Sequence, residues 1–438
     1  MLIIVYSWVT RNYALWRKLQ TIGPWDQLAY YSYLPATFIH HDFTFQKLAG
    51  TPFYPVMHLP GPKGLPVLNM VCGVALLQLP FFGLAHLHCY FASIPTTGFT
   101  WPYHFWVQVG NLFYVFAGFY YLRKVLLRYF NEFSTGLTLL LIGLATQLFY
   151  YSTSEPLMSH AYSFALIAIF LHQIPIWYTT PSCKNSLLLG SVVGLLLIVR
   201  PTNILIIIPL VFYKAYSWKD ILANLSFFMS YRKSLFALTL GIIIPLLPQL
   251  VYWKMIAGSW LYNSYTSINP FYFLQPHIYQ LLFSYRKGLL IYTPIMAFAY
   301  LGFYKLIKKQ NPMGIGSLIY VIAMIYVLSS WWCWWYGGSF GLRAMIDTFS
   351  ISALGLAAFI QKFSQYKKLI LGLALIFVAF YQFQNFQYRR GVIHYDSMTR
   401  QAYWAIFLKL SPPPNYYDTM LSAPDYEKAR KGIPEYAE

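Results

Sequence analysis

Long apolar runs alternate with short polar interruptions along this chain, and the runs have the length of membrane helices. Residues 101–122, 134–151, 160–178, 186–199, 202–213, 234–253, 288–307, 313–331, 345–361 and 367–383 are predominantly apolar. A hydrocarbon core ~30 Å thick takes about 20 residues of helix, so about ten spans are predicted. Two of them, on either side of "RPTN", are short; Pro201 ends the first, and the pair reads as helices broken at the membrane face. Residues 64–91, "GLPVLNMVCGVALLQLPFFGLAHLHCYF", would upset the alternation of loops if they crossed. They read as an interfacial or re-entrant helix broken at Pro80 and edged by His86 and His88. The opening "MLIIVYSWVT" offers about ten apolar residues before Arg11, too few to cross. Either this span is irregular or the true start lies upstream, and the segment lacks the n-region and cleavage site of a signal peptide.

Composition agrees with the pattern. At 58% hydrophobic and 10% charged residues, 438 residues carry more apolar surface than a soluble core hides. The net charge of +19 would suggest nucleic acid in a soluble protein. Here the cations are distributed by loop: Arg123, Lys124 and Arg128, then Lys184, then Lys214, Lys219, Arg232 and Lys233, then Lys305, Lys308 and Lys309, then Lys362, Lys367 and Lys368. These occupy alternate loops, which the positive-inside rule places in the cytoplasm, with no nucleic-acid partner implied. The reading is a multi-pass protein of the inner (cytoplasmic) membrane. Cys72, Cys89, Cys183 and Cys333 show no metal-ligand spacing, and no disulfide framework is inferred.

The complementary, outward loops hold charges of both signs: Asp26, Asp42, Glu155, Arg200, Arg286, Lys287, Arg343 and Asp347. Charge bias alone does not gather mixed-sign residues opposite the biased side. Asp26, in "GPWDQLAYYSYLPATFIHHDF", has two compatible readings, a general base at the bilayer surface or the cap of a helix starting at Gln27. In "STSEPLMSHAYSF", Glu155 and His160 read as contacts to a polar substrate, as ligands sharing a divalent metal with residues elsewhere, or as neighbours of a Ser154 or Ser159 helix cap. Arg286 and Lys287, in "FSYRKGLLIYTP", put two cations where outer loops and a helix N-terminus disfavour them unless an anion is bound. A phosphate resolves both objections; snorkelling to headgroups is the alternative, as it is for Arg200. In "WWCWWYGGSFGLRAMID", the four tryptophans read as an aromatic belt. Belt anchoring does not explain Tyr336, the turn-permitting Gly337, Gly338 and Gly341, or Arg343 and Asp347, which together read as a pocket wall.

A carboxylate base, several cations and an interfacial helix on one face suit attack by an acceptor hydroxyl on a sugar carried by a lipid phosphate. No Gly-rich nucleotide fingerprint is present, so a membrane-embedded donor follows. A different class also fits: a transporter or flippase for a lipid-linked or anionic solute, using the break at "VRPTN". A third reading is an assembly subunit in which Asp26 is dispensable.

The succession "WDQLAYYSYLPATFIHHDF", "CGVALLQLPFFGLAH", "SEPLMSHAYSF", "VRPTN", "SYRKGLLIYTP", "WWYGGSFGLRAMID" and "GVIHYDSMTRQAYWAIF" resembles bacterial integral-membrane glycosyltransferases of the GT-C superfamily. These are distant relatives of the dolichyl-phosphate-mannose protein mannosyltransferases and the lipid A aminoarabinose transferase. The resemblance implies an all-α polytopic bundle of about 10–12 transmembrane helices with outer-face interfacial helices and loops. It implies an inverting transfer from a polyprenyl-phosphate sugar to a glycan, lipid or protein hydroxyl. It implies a catalytic aspartate in the first outer loop, by position Asp26, and donor-phosphate contacts from Arg286 and Lys287. Arg343 and Arg200 are candidate further phosphate contacts, and Glu155, His160, Asp42, Tyr336 and Asp347 candidate pocket residues. Many relatives carry two adjacent acids in that loop, whereas here Gln27 follows Asp26. Residues 1–384 are expected to form the catalytic domain, with 20–100 as the first outer loop, and residues 385–438 an outward-facing tail.

Overall fold

A computed structural model describes residues 1–18, 25–54, 58–264 and 269–434. The start of the expected outer loop, residues 20–24, lies outside them. In chain order the helices are α1 (Leu2–Lys18), α2 (Asp26–Pro35), α3 (Gly73–Phe91), α4 (Trp101–Leu127), α5 (Glu132–Leu144), α6 (Gln147–Thr153), α7 (His160–Thr179), α8 (Cys183–Val199), α9 (Ile207–Val211), α10 (Trp218–Ser230), α11 (Arg232–Ala257), α12 (Ile278–Phe283), α13 (Leu289–Tyr292), α14 (Ile295–Lys308), α15 (Gly314–Ser329), α16 (Phe349–Lys362), α17 (Lys367–Arg389), α18 (Arg400–Ile406), α19 (Tyr416–Thr419) and α20 (Tyr426–Arg430). Short strands β1 (His58–Pro60) and β2 (Pro66–Leu68) pair antiparallel.

The chain is an all-α polytopic membrane protein. Among the described residues five helical segments are long and apolar enough to cross a membrane, or six if the bent pair α5–α6 is one span. Several of the ten predicted runs are shortened by breaks. The run at 134–151 divides at α5–α6 with a 60° bend. The run at 288–307 breaks at Thr293–Pro294 between α13 and α14. "RPTN" breaks the chain as predicted, α8 ending at Val199 and a 3₁₀ turn running Pro201–Ile206.

The 64–91 segment departs from expectation. Its first part is the β1–β2 hairpin's second strand, and α3 then runs 19 residues straight through Pro80, long and apolar enough to cross. An apolar helix tolerates a proline when its other backbone groups stay bonded. The expected division at 384/385 falls inside α17, which continues to Arg389.

The chain divides into two compact units: residues 1–120, 151–204 and 228–265, and residues 121–150, 205–227 and 266–438. In the first unit α8 and α11 approach backbone to backbone. A Cβ on Gly190 would lie 2.1 Å from the Leu238 carbonyl and one on Gly194 2.4 Å from that of Ile242, a small-xxx-small contact. The Lys184 end of this pair is tied by the Ser234 hydroxyl bonding the Pro181 carbonyl. At the other end lie Arg200 and, across α7, His160.

The second unit has its own two ends. Gly302 of α14 meets Gly355 of α16 so closely that a Cβ would lie 1.8 Å from the Gly355 carbonyl. At one end the basic loops converge: the Gln361 side chain accepts from the Asn131 amide (2.9 Å), Lys367 sits over the Phe133 ring, and Tyr216 donates to Gln310 (2.7 Å). The loops carrying Arg286, Arg343 and the region after α17 lie at the other end. Within this unit the predicted alternation of basic and mixed loops is realised in space.

Candidate functional site

The candidate residues fall into two sets, one in each unit. In the first unit Asp26 opens α2 as its first helical residue, with Trp25 at the cap position in a left-handed backbone (φ 52°). The helix therefore starts one residue earlier than the capping reading required. Asp26 is half-buried and lies one turn before Tyr30 on the same helical face. The Tyr30 hydroxyl reaches Ser159 Oγ at 3.4 Å, immediately before His160. His160 is fully buried, and Arg200 Nη1 stands 3.3 Å from its Nδ1. Arg11 bonds the Thr153 and Ser154 hydroxyls, the latter at 2.7 Å, beside half-buried Glu155. This set joins α1, α2, the turn before α7 and the end of α8.

Asp42 has a local task. Its Oδ1 accepts from the Thr44 amide (2.9 Å) and hydroxyl (2.5 Å) and its Oδ2 from the Lys47 amide (2.9 Å), closing the turn into the Gln46–Leu48 3₁₀ helix. Partial burial pushes its carboxyl up, but these hydrogen bonds and the Lys47 charge together outweigh it and hold the pKa below the usual aspartate value.

In the second unit Arg286 and Lys287 sit in the turn between α12 and α13, each 1% exposed. Ser284 ends α12 and its carbonyl accepts from the Gly288 amide; a Cβ on Gly288 would lie 2.5 Å from that carbonyl, so the turn requires glycine. The Arg286 guanidinium lies over the Trp335 ring, 5.3 Å from its centre, and one Nη donates to the Ser422 carbonyl at 3.4 Å. Lys287 Nζ donates to the carbonyls of Ser339 and Tyr395. Arg343, half-buried, opens a 3₁₀ turn ending at Thr348 that contains the fully buried Asp347. The Asp347 carbonyl accepts from Tyr320 (3.2 Å). Burial pushes the Cys333 thiol up to about 12, against the pull of the Gly337 amide, Arg343, the Tyr336 amide and Arg286.

The tryptophans do not form a belt. Trp332, Trp334 and Trp335 are 7%, 1% and 0% exposed and pack with Cys333 and Ala429 against Tyr272, Trp331 and Tyr426. The glycines serve mainly this packing: Gly341 (φ 56°) gives its space to Gln147 and Gly338 to Tyr395, while Gly337 faces open space. Half-buried Tyr336 (φ 59°) stacks on Trp331 and donates to the Leu328 carbonyl (3.1 Å).

Sequence reasoning missed the tail. It is packed, with Val392, Ile393, Met398, Ala402, Ile406 and Tyr416 at most 3% exposed. His394 Nδ1 stands 3.3 Å from Asp396 Oδ1, while Ser397 (2.7 Å) and Tyr426 (3.2 Å) donate to the same carboxylate. Burial raises the Asp396 carboxyl, and the bonds from His394, Ser397 and Tyr426 overcome it, leaving the pKa below the usual value. Tyr395 connects this cluster to Lys287. "GVIHYDSM" carried the signal as a polar cluster after an apolar run, but no periodicity ties it to residue 287. Among the described residues, no group of three or more His, Cys, Asp or Glu side chains could hold a metal ion. No protein-family model matches the chain, and no curated protein is similar to it.

Proposed function

We propose that the protein is an inverting glycosyltransferase that moves a sugar from a polyprenyl-phosphate donor to a hydroxyl on the outer face of the inner membrane. The observation that supports it most is the buried Arg286–Lys287 turn. Two adjacent cations, both 1% exposed and in contact with an indole ring and three backbone carbonyls, concentrate at one turn the kind of charge that binds a phosphate. Asp26 takes the proton of the acceptor hydroxyl; the oxygen attacks the anomeric carbon opposite the phosphate; the bond to phosphate breaks, and the charge leaves with the polyprenyl phosphate. Lipid phosphate is a good leaving group, so no second carboxylate is required as acid. His160 and Glu155 contribute polar contacts to the sugar or acceptor. The acceptor is a glycan, lipid or protein.

The test is transfer of radiolabelled sugar from a panel of polyprenyl-phosphate sugars in membranes containing the wild type, Asp26→Asn or Arg286→Ala. Label that depends on Asp26 supports the assignment, with Arg286→Ala raising the donor KM. Normal turnover by Asp26→Asn removes the base.

The helix break at Arg200–Pro201 and the 60° bend between α5 and α6 favour one other reading, a transporter of lipid-linked or anionic solutes. Donor-independent flux of a fluorescent lipid phosphate in proteoliposomes, unaffected by Asp26→Asn, would establish it instead.

A further inference from the structure

Helix α10, absent from the predicted spans, belongs to neither the proposed chemistry nor the crossing elements. Its 13 residues, "WKDILANLSFFMS", cover about 20 Å, short of a ~30 Å hydrocarbon core. Trp218, Leu222, Leu225 and Met229 stand at i, i+4, i+7 and i+11, one stripe of a helix. All four are exposed, at 70%, 49%, 46% and 63%. The protein-facing side is a different one: Asn224 donates to the carbonyls of Val211 and Tyr213, both at 2.8 Å, and Ile221, Phe227 and Phe228 are half-buried. The apolar stripe therefore points away from the rest of the chain. Lys219, Ser226 and Ser230 border it, and Lys214, Arg232 and Lys233 flank its ends. The one acid, Asp220, is occupied in capping, accepting from the Tyr216 and Ser217 amides at 2.9 and 2.8 Å.

Connectivity supplies the partner. The chain enters α10 two residues after Tyr216, whose hydroxyl bonds Gln310 in the basic loop between α14 and α15, and leaves it directly into α11, long and apolar enough to cross a membrane. Both ends are thus tethered at a membrane face, and every free charge around the stripe is positive. We propose that α10 is an in-plane anchor: Trp218, Leu222, Leu225 and Met229 lie in the acyl boundary, and Lys214, Lys219, Arg232 and Lys233 bind anionic lipid headgroups. This inference is independent of the glycosyltransferase reading.

Site-directed spin labelling of the full-length protein tests it, in a Cys183→Ser background that removes the one exposed cysteine. Labels at 222, 225 and 229 in phosphatidylcholine–phosphatidylglycerol vesicles should be relaxed by oxygen more than by a water-soluble nickel chelate, with the order reversed at 219, 223 and 226. Replacing phosphatidylglycerol by phosphatidylcholine should raise nickel access at 225, as should Lys219→Glu with Lys233→Glu. Nickel access around the whole helix overturns the anchor, and so does protection of 222 and 225 from both reagents, which would mean that protein covers the stripe. Insensitivity to phosphatidylglycerol overturns the headgroup assignment.

Discussion

The guanidinium of Arg286 lies 5.3 Å from the centre of the Trp335 ring, and neither residue is more than 1% exposed. This relationship explains why a chain rich in apolar helices retains a tryptophan cluster in a loop. The indole is part of the packing that holds a cation out of water, whereas Trp332 lies 5.0 Å from an exposed cation, Arg430. Trp335→Ala should destabilise the protein by about 3–5 kcal/mol, as large-to-small core changes do. Trp335→Phe should keep most of that stability while weakening the cation contact. Thermal unfolding in detergent separates the two, and wild-type stability in Trp335→Phe would remove the cation–π contribution.

Gly341 is constrained twice, by its φ of 56° and by Gln147, whose Nε2 would lie 2.5 Å from an added Cβ. Gly341→Ala is expected to cost about 1–3 kcal/mol. Gln147→Ala removes the clash but not the backbone strain, so the double variant should recover only part of the loss. Strict additivity in a double-mutant cycle would show that the side chain is not the obstacle.

Helix pairing through glycine predicts a sharp contrast. Gly302→Val places branched carbons where the Gly355 carbonyl already stands and should abolish recovery of monodisperse protein from size-exclusion chromatography. Gly136→Ala in α5, with nothing within 4 Å of the added methyl, should be neutral or stabilising by about 0.5–1 kcal/mol.

The Asp396 cluster gives a pH dependence. A carboxyl whose folded pKa lies below its unfolded value stabilises above the ordinary aspartate value of 3.8, and that contribution is lost as pH falls through the folded pKa. The wild type should lose melting temperature on acidification below that value more steeply than Asp396→Asn, which lacks the titrating group. Parallel slopes would mean that His394, Ser397 and Tyr426 do not favour the charged form.

Asp26 faces outward only where α3, although long and apolar enough to cross, does not carry the chain across the membrane. Cysteine labelling at residues 26 and 400 in intact cells should find both accessible from outside. Labelling of residue 26 from the cytoplasm alone would remove the lipid-donor argument.

The membrane class, the break at "RPTN" and the alternation of basic loops were legible in the sequence, because hydrocarbon imposes its demand on composition and loop charge one segment at a time. The buried cation turn was legible only as two unwelcome charges. What held them, Trp335, Ser339, Tyr395 and Ser422, became visible only in the fold, since these residues stand up to 136 positions from Arg286. The local task of Asp42 was missed for the opposite reason: its partners are two and five residues away, and the carboxylate closes a turn within its own segment. The packing of the outward-facing tail was not legible because its apolar residues are scattered without a period. Burying Val392, Met398 and Tyr416 depends on surfaces that only the folded unit presents. Sequence determined what had to avoid water; tertiary structure decided which distant side chains share each dry site, because packing joins residues by shape and charge irrespective of their order in the chain.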